Sequence, residues 1–543
     1  MNQTMNRNEH LNRLRAGEIF DVIVIGGGAT GLGAAVDAAA RGHRVALIEQ
    51  DDFAKGTSSR STKLVHGGVR YLKQGNVKLV REALHERGRL AKNAPHLVHN
   101  MEFVIPNYSR FDQVFYGVGM KVYDRLAGRL GLGHSLVLSR DEAIRRLPTV
   151  ETHGLKGGVL YHDGQFDDSR LAINLARTAA GLGAVVVNYC KCTGFVKGGG
   201  GRIEGVRVRD EEAEAAGGGA EFEVHAKAVI NATGVFVDGL RKQAEPAATD
   251  LVTVSQGIHL VLPKKFLPGN AALMVPKTAD GRVLFAVPWH ECVVVGTTDT
   301  PRPAASLEPR ALDEEYEFVM THAQKYLALD PADSDVLSVF AGLRPLVKSG
   351  HGGSTAALSR DHTIVIGKTG LVTITGGKWT TYRRMAEDVI GHVEKLAGLP
   401  GRACATKELK IHGWLEDGGA TLRERNLRVY GADAEGVRAL IARRPDLAAP
   451  LHPALPYQQA EVVWHAREEM ARTVEDVLAR RTRALLLDAR ASIEAAGRVA
   501  GLLADELGHD ETWQRKQCEA YARLAAGYTK AGVLPGDGVR VAA

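Results

Sequence analysis

Residues 20–50 read FDVIVIGGGATGLGAAVDAAARGHRVALIEQ. Asp21-Val22-Ile23-Val24-Ile25 opens on a short apolar run of the kind a buried strand shows. Gly26, Gly28 and Gly31 follow in G-x-G-x-x-G spacing, with Gly33 one step beyond. The Ala-rich stretch from Ala34 to Ala40 predicts a helix, and Arg44-Val45-Ala46-Leu47-Ile48 a second buried strand ending in Glu49. Strand, tight turn, helix, strand and acid fall in register, the context that a bare glycine match lacks. Gly26 permits the sharp turn out of the strand, Gly28 lets the backbone approach a pyrophosphate, and Gly31 lets the helix pack close to the sheet. The helix start offers N–H groups and positive dipole to phosphates. Glu49 can accept hydrogen bonds from an adenosine ribose. The stretch predicts a dinucleotide site at the head of a doubly wound sheet.

Working outward, a chain of 543 residues suggests three or four domain-sized units. A hydrophobic fraction of 45% is ordinary for a globular protein with a sizeable core. The net charge of +6 suits anionic ligands or an anionic membrane surface, and is too diffuse to imply nucleic acid. Five scattered cysteines (Cys190, Cys192, Cys292, Cys404, Cys518) argue for a reducing compartment without a disulfide framework. Cys190-x-Cys192 is expected on a strand rather than on a metal. Residues 1–17 read as a polar tail without the apolar segment of a secretory signal. No apolar run is long enough to span a bilayer, so membrane contact, if any, is peripheral.

Past Glu49, the run DDFAKGTSSRSTKLVHGGVRYL is dense in donors: Gly56, Thr57, Ser58, Ser59, Ser61, Thr62, Lys63, His66, Gly67 and Gly68. Beside a dinucleotide site it reads as a loop wrapped over the cofactor. Arg70 and Tyr71 could face a ligand. Within 114–130, Phe115, Val118, Val122 and Leu126 give an apolar face, and Lys121, Arg125 and Arg129 a basic stripe. Two readings stand: a plain surface helix, or a helix lying on an anionic bilayer. Asp167, Asp168 or Ser169 caps a helix over 165–180. Lys227 to Gly234 is an apolar strand ending in small residues, a second cofactor contact if the sheet is doubly wound. The alternating, Val-rich runs SQGIHLVLP and VLFAVPWHECVVVGTTDT predict an antiparallel substrate sheet, with His259 mid-strand as either a satisfied core residue or a functional one. Arg344 and Arg360 could form structural ion pairs or bind an anion. At 371–377 a strand meets Gly376-Gly377, and a helix is expected to begin at Lys378, aiming N–H groups at a ligand. Beyond residue 400 the pattern is helical, with Met470, Val474, Val477, Leu478 and Leu485 at helix spacing. His465 and Glu468 lack metal-site order and read as surface or packing residues.

The motifs VIGGGATGLGAAVDAAARG, TSSRSTKLVHGGVRYL, YHDGQFDDSRL, VINATG, VPWHECVVVGTTD, AGLRPL, LSRD, GGKWTTYR and VEDVLARRTRALLLDA resemble the respiratory, FAD-dependent glycerol-3-phosphate dehydrogenases over about residues 18–540. KLVHGGVRYL, GTTD and GGKWTTYR are the more specific carriers. The polar N-terminus and the Gly-rich insertion at 211–220 depart from the pattern. No acidic loop matches the calcium-binding C-terminus of the organelle form, so the resemblance points to the bacterial form.

The resemblance implies an α/β fold. It has a Rossmann-like FAD-binding domain (about 18–95, 155–245 and 335–395), an inserted antiparallel-sheet substrate domain (about 96–154 and 246–334) and an all-α C-terminal domain (400–535). It implies oxidation of sn-glycerol 3-phosphate at C2, hydride transfer to FAD, and passage of electrons to a membrane quinone. His259 is the first candidate base and His66 the second, with Arg344 stabilising a developing alkoxide. Arg70, Tyr71, Arg344, Arg360 and Lys378 are the expected substrate contacts. Gly26, Gly28, Gly31, Glu49, Thr57, Ser58, Ser59, Lys63, Leu64, Gly67, Gly68, Gly234, Gly376, Gly377, Trp379 and Thr380 are the expected cofactor contacts. No metal or nucleic acid is expected. The chain is expected to be a homodimer in the cytoplasm, held peripherally on the inner face of the cell membrane. The competing readings are an oxidase that gives electrons to oxygen, and a non-catalytic flavin-binding scaffold.

Overall fold

The computed structural model describes residues 5–73, 75–215, 217–278, 281–348, 362–422 and 424–535. Its first element departs from the sequence expectation. Residues assigned to a polar tail form helix α1 (Arg7–Arg15), capped by Asn6 and packed by Leu11 and Leu14. The polarity misled because the buried face is itself partly charged. Arg7 pairs with Asp210 at 2.7 Å and Glu212 at 2.6 Å, and Val186 N–H donates to His10 Nδ1 at 2.9 Å.

Strand β1 (Phe20–Ile25) is buried on both faces and sits at the centre of a parallel sheet. It pairs with β2 (Val45–Ile48) on one side and the strand Phe222–Asn231 on the other. The order continues outward to Val185–Val187 at one edge, and through Val372–Gly376 to His362–Ile366 at the other. Helix α2 (Ala29–Ala40) covers it with small residues, as its Ala-rich sequence demands. A Cβ at Gly31 would lie 1.9 Å from the Gly26 carbonyl oxygen, so only glycine lets helix and turn close. Cys190 and Cys192 lie on the strand Cys190–Lys197, as expected.

The second sheet is mostly antiparallel. Its long strand Val252–Pro263 pairs with Cys292–Gly296 on one side. The short Thr300–Arg302 pairs further along that same side, and the other side pairs with Ser338–Val347 over ten residue pairs. Residues 338–347 were expected in the cofactor part, but their hydrogen bonds place them in this substrate sheet. A Val-rich run carries no record of which sheet it joins, because pairing is decided by distant strands.

The C-terminal region packs its own apolar cluster around Val477, Leu478, Leu485 and Val499. It is less continuous than its periodicity suggested. Gln459–Glu468 ends, Met470 takes φ 51°, and a π-type turn spans Asp476–Arg481. This turn carries arginines into the cofactor domain. Arg480 and Arg481 both bond the fully buried Asp52. Burial alone would raise that carboxyl, yet the two guanidiniums outweigh it and hold it below its usual range. No described helix is long and apolar enough to cross a membrane.

The helix Arg110–Ala127 presents an unusual face. It buries Gly117, Met120, Tyr123 and Ala127 and turns Phe111, Val114, Phe115, Val118 and Val122 outward. Val118 is 62% exposed and Phe111 77%, with Leu136 and Val137 exposed nearby. Leu126, expected on this face, is only partly exposed. Its exposed charges are all basic: Arg110, Lys121 and Arg125, with Arg129 just beyond its end.

Candidate active site

A cavity of about 790 Å³ runs between the two sheets, within the range of cofactor-sized pockets. One end is the glycine turn: Gly26, Gly28, Ala29 and Thr30 with Glu49 and Gln50. Gly26 adopts φ 110°, and a Cβ there would meet the Ala232 carbonyl oxygen at 2.8 Å. Helix α2 is preceded by Gly28 as its cap residue and has no acid in its first turn, so its positive end is available to a phosphate. Glu49 accepts from Gly27 N–H at 2.6 Å and Asp51 N–H at 2.9 Å. Burial raises its carboxyl to about 7 in spite of those bonds. A carboxylate retains acceptor capacity for ribose hydroxyls. Bare backbone at the turn, an open helix start and a seated acid together fit an adenine dinucleotide.

The wrapped loop divides into two groups of residues. Thr57, Ser58, Ser61, Thr62, Leu64 and His66 line the cavity. Ser58 accepts from Ala29 N–H through Oγ, and its carbonyl accepts from Trp379 Nε1 at 2.9 Å. Lys63, expected at the cofactor, instead points away. It is fully buried, with Nζ donating to the Ser59 carbonyl at 2.7 Å and to both oxygens of Asp168. Burial first, and then Arg483, lowers its ammonium to about 7. Ser59 and Gly67 likewise pack behind the wall: Gly67 N–H donates to Tyr123 Oη, and its missing Cβ leaves room for Leu84. Gly31 serves packing as well, and Gly68 faces Tyr71. Gly234, Gly376, Gly377, Trp379 and Thr380 line the cavity.

The helix expected at Lys378 begins later. Residues Trp379–Thr381 form one 3₁₀ turn, and the α-helix starts at Tyr382. The dipole assigned to Lys378 is therefore a short turn, and the residue matters for its own charge. Its Nζ lies 4.2 Å from the centroid of the Tyr71 ring. The side chain of Arg70 and the whole of Arg360 fall outside the described residues.

His259, Arg344, His66, Tyr71 and Lys378 all line this cavity. Strand register explains two of them. Gly257 pairs with Gly342, His259 with Phe340 and Ser255 with Arg344. His259 and Arg344 thus flank Gly257 on one face, since alternate residues share a face. Arg344 lies across that glycine: a Cβ on Gly257 would be 2.1 Å from Arg344 Nη2. Its Nη1 donates to Asp299 Oδ1 at 3.2 Å and the Gln256 carbonyl at 3.3 Å, and Nη2 to Thr297 Oγ1 at 3.1 Å. His259 stacks on Phe340 with centroids 4.8 Å apart. Its Nε2 shares a 2.9 Å hydrogen bond with Thr62 Oγ1, and its Nδ1 is buried with no hydrogen-bond partner among the described residues. Burial, with Arg344 and Lys63 adding positive charge, holds the imidazole well below its usual value. It is therefore neutral at physiological pH, the form a base requires.

Gly257, Thr297, Asp299 and Phe340 were not singled out from the sequence, and Thr62 was read only as a loop donor rather than as the partner of His259. Gly257 stands two residues before His259, and Thr297 and Asp299 belong to the GTTD run, so both signals were present without a role attached. Among the described residues no cluster could hold a metal ion.

Residues 21–383 match the family model described as FAD dependent oxidoreductase. Residues 368–514 match the one described as the C-terminal domain of alpha-glycerophosphate oxidase. Fold and site together define a flavin-dependent oxidoreductase. The probable glycerol-3-phosphate dehydrogenase, mitochondrial, of Caenorhabditis elegans is 39% identical over 542 residues, covering 94% of this chain and 74% of that protein. The human glycerol-3-phosphate dehydrogenase, mitochondrial, is 39% identical over 532 residues, covering 92% of this chain and 72% of its own. Among solved structures, the FAD complex of the Bacillus halodurans glycerol-3-phosphate dehydrogenase matches with a TM-score of 0.79 at 26% identity, covering 98% of this chain and 99% of that one. The chain belongs to the FAD-dependent glycerol-3-phosphate dehydrogenases.

Proposed function

We propose that this FAD-dependent dehydrogenase oxidises sn-glycerol 3-phosphate at C2 to dihydroxyacetone phosphate and delivers the electrons to a membrane quinone. The observation that carries the substrate assignment is that Arg344, Lys378 and His259 line the same cavity as the glycine turn. FAD, when bound along the cavity, supplies the two-electron oxidant that takes the C2 hydride. The chain's part is to bind, orient and deprotonate. Arg344 presents a planar fork and Lys378 a point charge, a pair suited to phosphate or alkoxide oxygen. Tyr71 supports Lys378 through its ring face. His259 accepts the hydroxyl proton as the C2–H bond breaks, with Thr62 fixing the ring. A dianionic substrate offsets the nearby cations and raises the imidazole's basicity. Anaerobic addition of sn-glycerol 3-phosphate to the holoenzyme is expected to bleach the flavin; a flavin that stays oxidised would favour the non-catalytic scaffold.

The acceptor assignment rests on the exposed face of Arg110–Ala127. An apolar stripe rimmed by basic residues suits the interface of an anionic bilayer, where a quinone is dissolved. This supports a cytoplasmic enzyme held peripherally at the inner face of the membrane. Stopped-flow reoxidation by a quinone against oxygen separates the dehydrogenase from an oxidase. Light scattering in detergent tests the proposed homodimer.

A further inference from the structure

We propose that Asp299, with Thr297 and the Gln256 carbonyl, forms a socket that sets the plane and reach of Arg344, making Asp299 a positioning residue for substrate turnover. The inference rests on Arg344 acting at the substrate. Asp299 does not line the cavity and Arg344 does. Asp299 is 4% exposed and its carboxylate sits behind the guanidinium, so it acts on substrate through Arg344.

Three distant segments converge here. Ser255 and Arg344 are register partners on adjacent strands. Asp299 comes from the turn that follows the strand Cys292–Gly296. Ser255 Oγ donates to Asp299 Oδ1, the same oxygen that accepts from Arg344 Nη1. Nη1 is further held by the Gln256 carbonyl and Nη2 by Thr297 Oγ1. Acceptors on both terminal nitrogens fix the rotation of a planar group that carries five N–H donors. Gly257 supplies the floor, since a side chain there would occupy the place of Nη2. The carboxylate also balances the guanidinium before substrate arrives, so that a partly buried cation need not swing out to water. Without Asp299 the fork keeps its charge and loses its aim.

The test combines chemical rescue with a double-mutant cycle on the holoenzyme. Arg344→Ala should lower kcat/KM about 100-fold, and added guanidinium ion should restore at least tenfold of it by entering the socket. In the Arg344→Ala/Asp299→Ala double variant, guanidinium should restore less than about twofold. Asp299→Asn alone should cost about tenfold in kcat/KM with FAD stoichiometry unchanged, and should be silent in the Arg344→Ala background. Inorganic phosphate, an unreactive probe, should raise the melting temperature of the wild type more than that of Asp299→Asn. Ser255→Ala, a milder change, should shift both readouts in the same direction by less. Equal rescue with and without Asp299, or an Asp299→Asn cost that persists without Arg344, would overturn the socket while leaving the substrate assignment standing. Normal kinetics in Arg344→Ala would remove both.

Discussion

Gly257→Ala is the sharpest perturbation of the site. The new Cβ would stand 2.1 Å from Arg344 Nη2 and 2.5 Å from Thr297 Oγ1. To reach ordinary contact the guanidinium must retreat by about 1.3 Å. Misplacement of a positioning group by about 1 Å costs on the order of 100-fold in rate, or about 2.7 kcal/mol of transition-state stabilisation. The fold should lose less. Both crowded atoms are side-chain ends that can turn aside, so the overpacking cost should lie at about 1 kcal/mol, the low end of its usual range. The assay is single-turnover flavin bleaching by sn-glycerol 3-phosphate, run beside FAD stoichiometry and urea unfolding of the holoenzyme. A bleaching rate within about threefold of wild type would refute the placement of Arg344 over Gly257 as the productive one. A large loss of stability with normal bleaching would show that the strand, and not the fork, had yielded.

His259→Ala should slow flavin reduction about 100-fold or more while FAD stays bound, as removal of a general base does, and an unchanged rate would move that role to His66. Arg483→Met should cost about 3–5 kcal/mol in urea unfolding, because it removes the guanidinium shared by the buried Asp167 and Asp168 and leaves Asp168 with Lys63 as its cationic partner. A cost below about 1 kcal/mol would show the network to be relaxed by water. Replacing Phe111 and Val118 with Glu should abolish binding to anionic vesicles at low salt, while activity with a soluble dye acceptor stays within about twofold; vesicle binding that survives would place the membrane contact elsewhere, and a change in mass on light scattering would make the face a contact between copies. Acid should destabilise the protein before its carboxylate pairs titrate. His96 and His465 are held at about 3 and His10 and His99 at about 4, chiefly by burial. Their folded values lie below the unfolded one, so their stabilisation is complete above about pH 6.5 and is lost as pH falls. Glu49 and Glu461, raised to about 7 by burial, act in the opposite sense between pH 7 and 4.5, but are fewer. Each excess imidazole contributes about 1.4 kcal/mol per pH unit, so the urea midpoint should fall between pH 6.5 and 5; a flat midpoint would contradict the buried neutral histidines.

Much of the cofactor half was legible from residues 20–50 alone, because its determinants are local. Strand, glycine turn and helix are specified within a few residues of one another, and Gly26, Gly28 and Glu49 stand where the spacing placed them. The wrapped loop was legible as a unit but not residue by residue. Neighbours in a loop point to opposite sides, which is why Thr62 reaches His259 while Lys63 turns to Asp168. Helix α1 was missed because its buried polar residues are satisfied by partners about 180 residues or more away.

The sequence by itself determined the class of cofactor, the periodic elements and the identity of the cations and the histidine. Only the tertiary structure decided that residues 338–347 join the substrate sheet, that Arg344 lies across Gly257, and that Asp299 stands behind it. The physical reason is that strand register and the closure of a cavity are set by hydrogen bonds and packing between segments far apart in the chain, which no local pattern encodes.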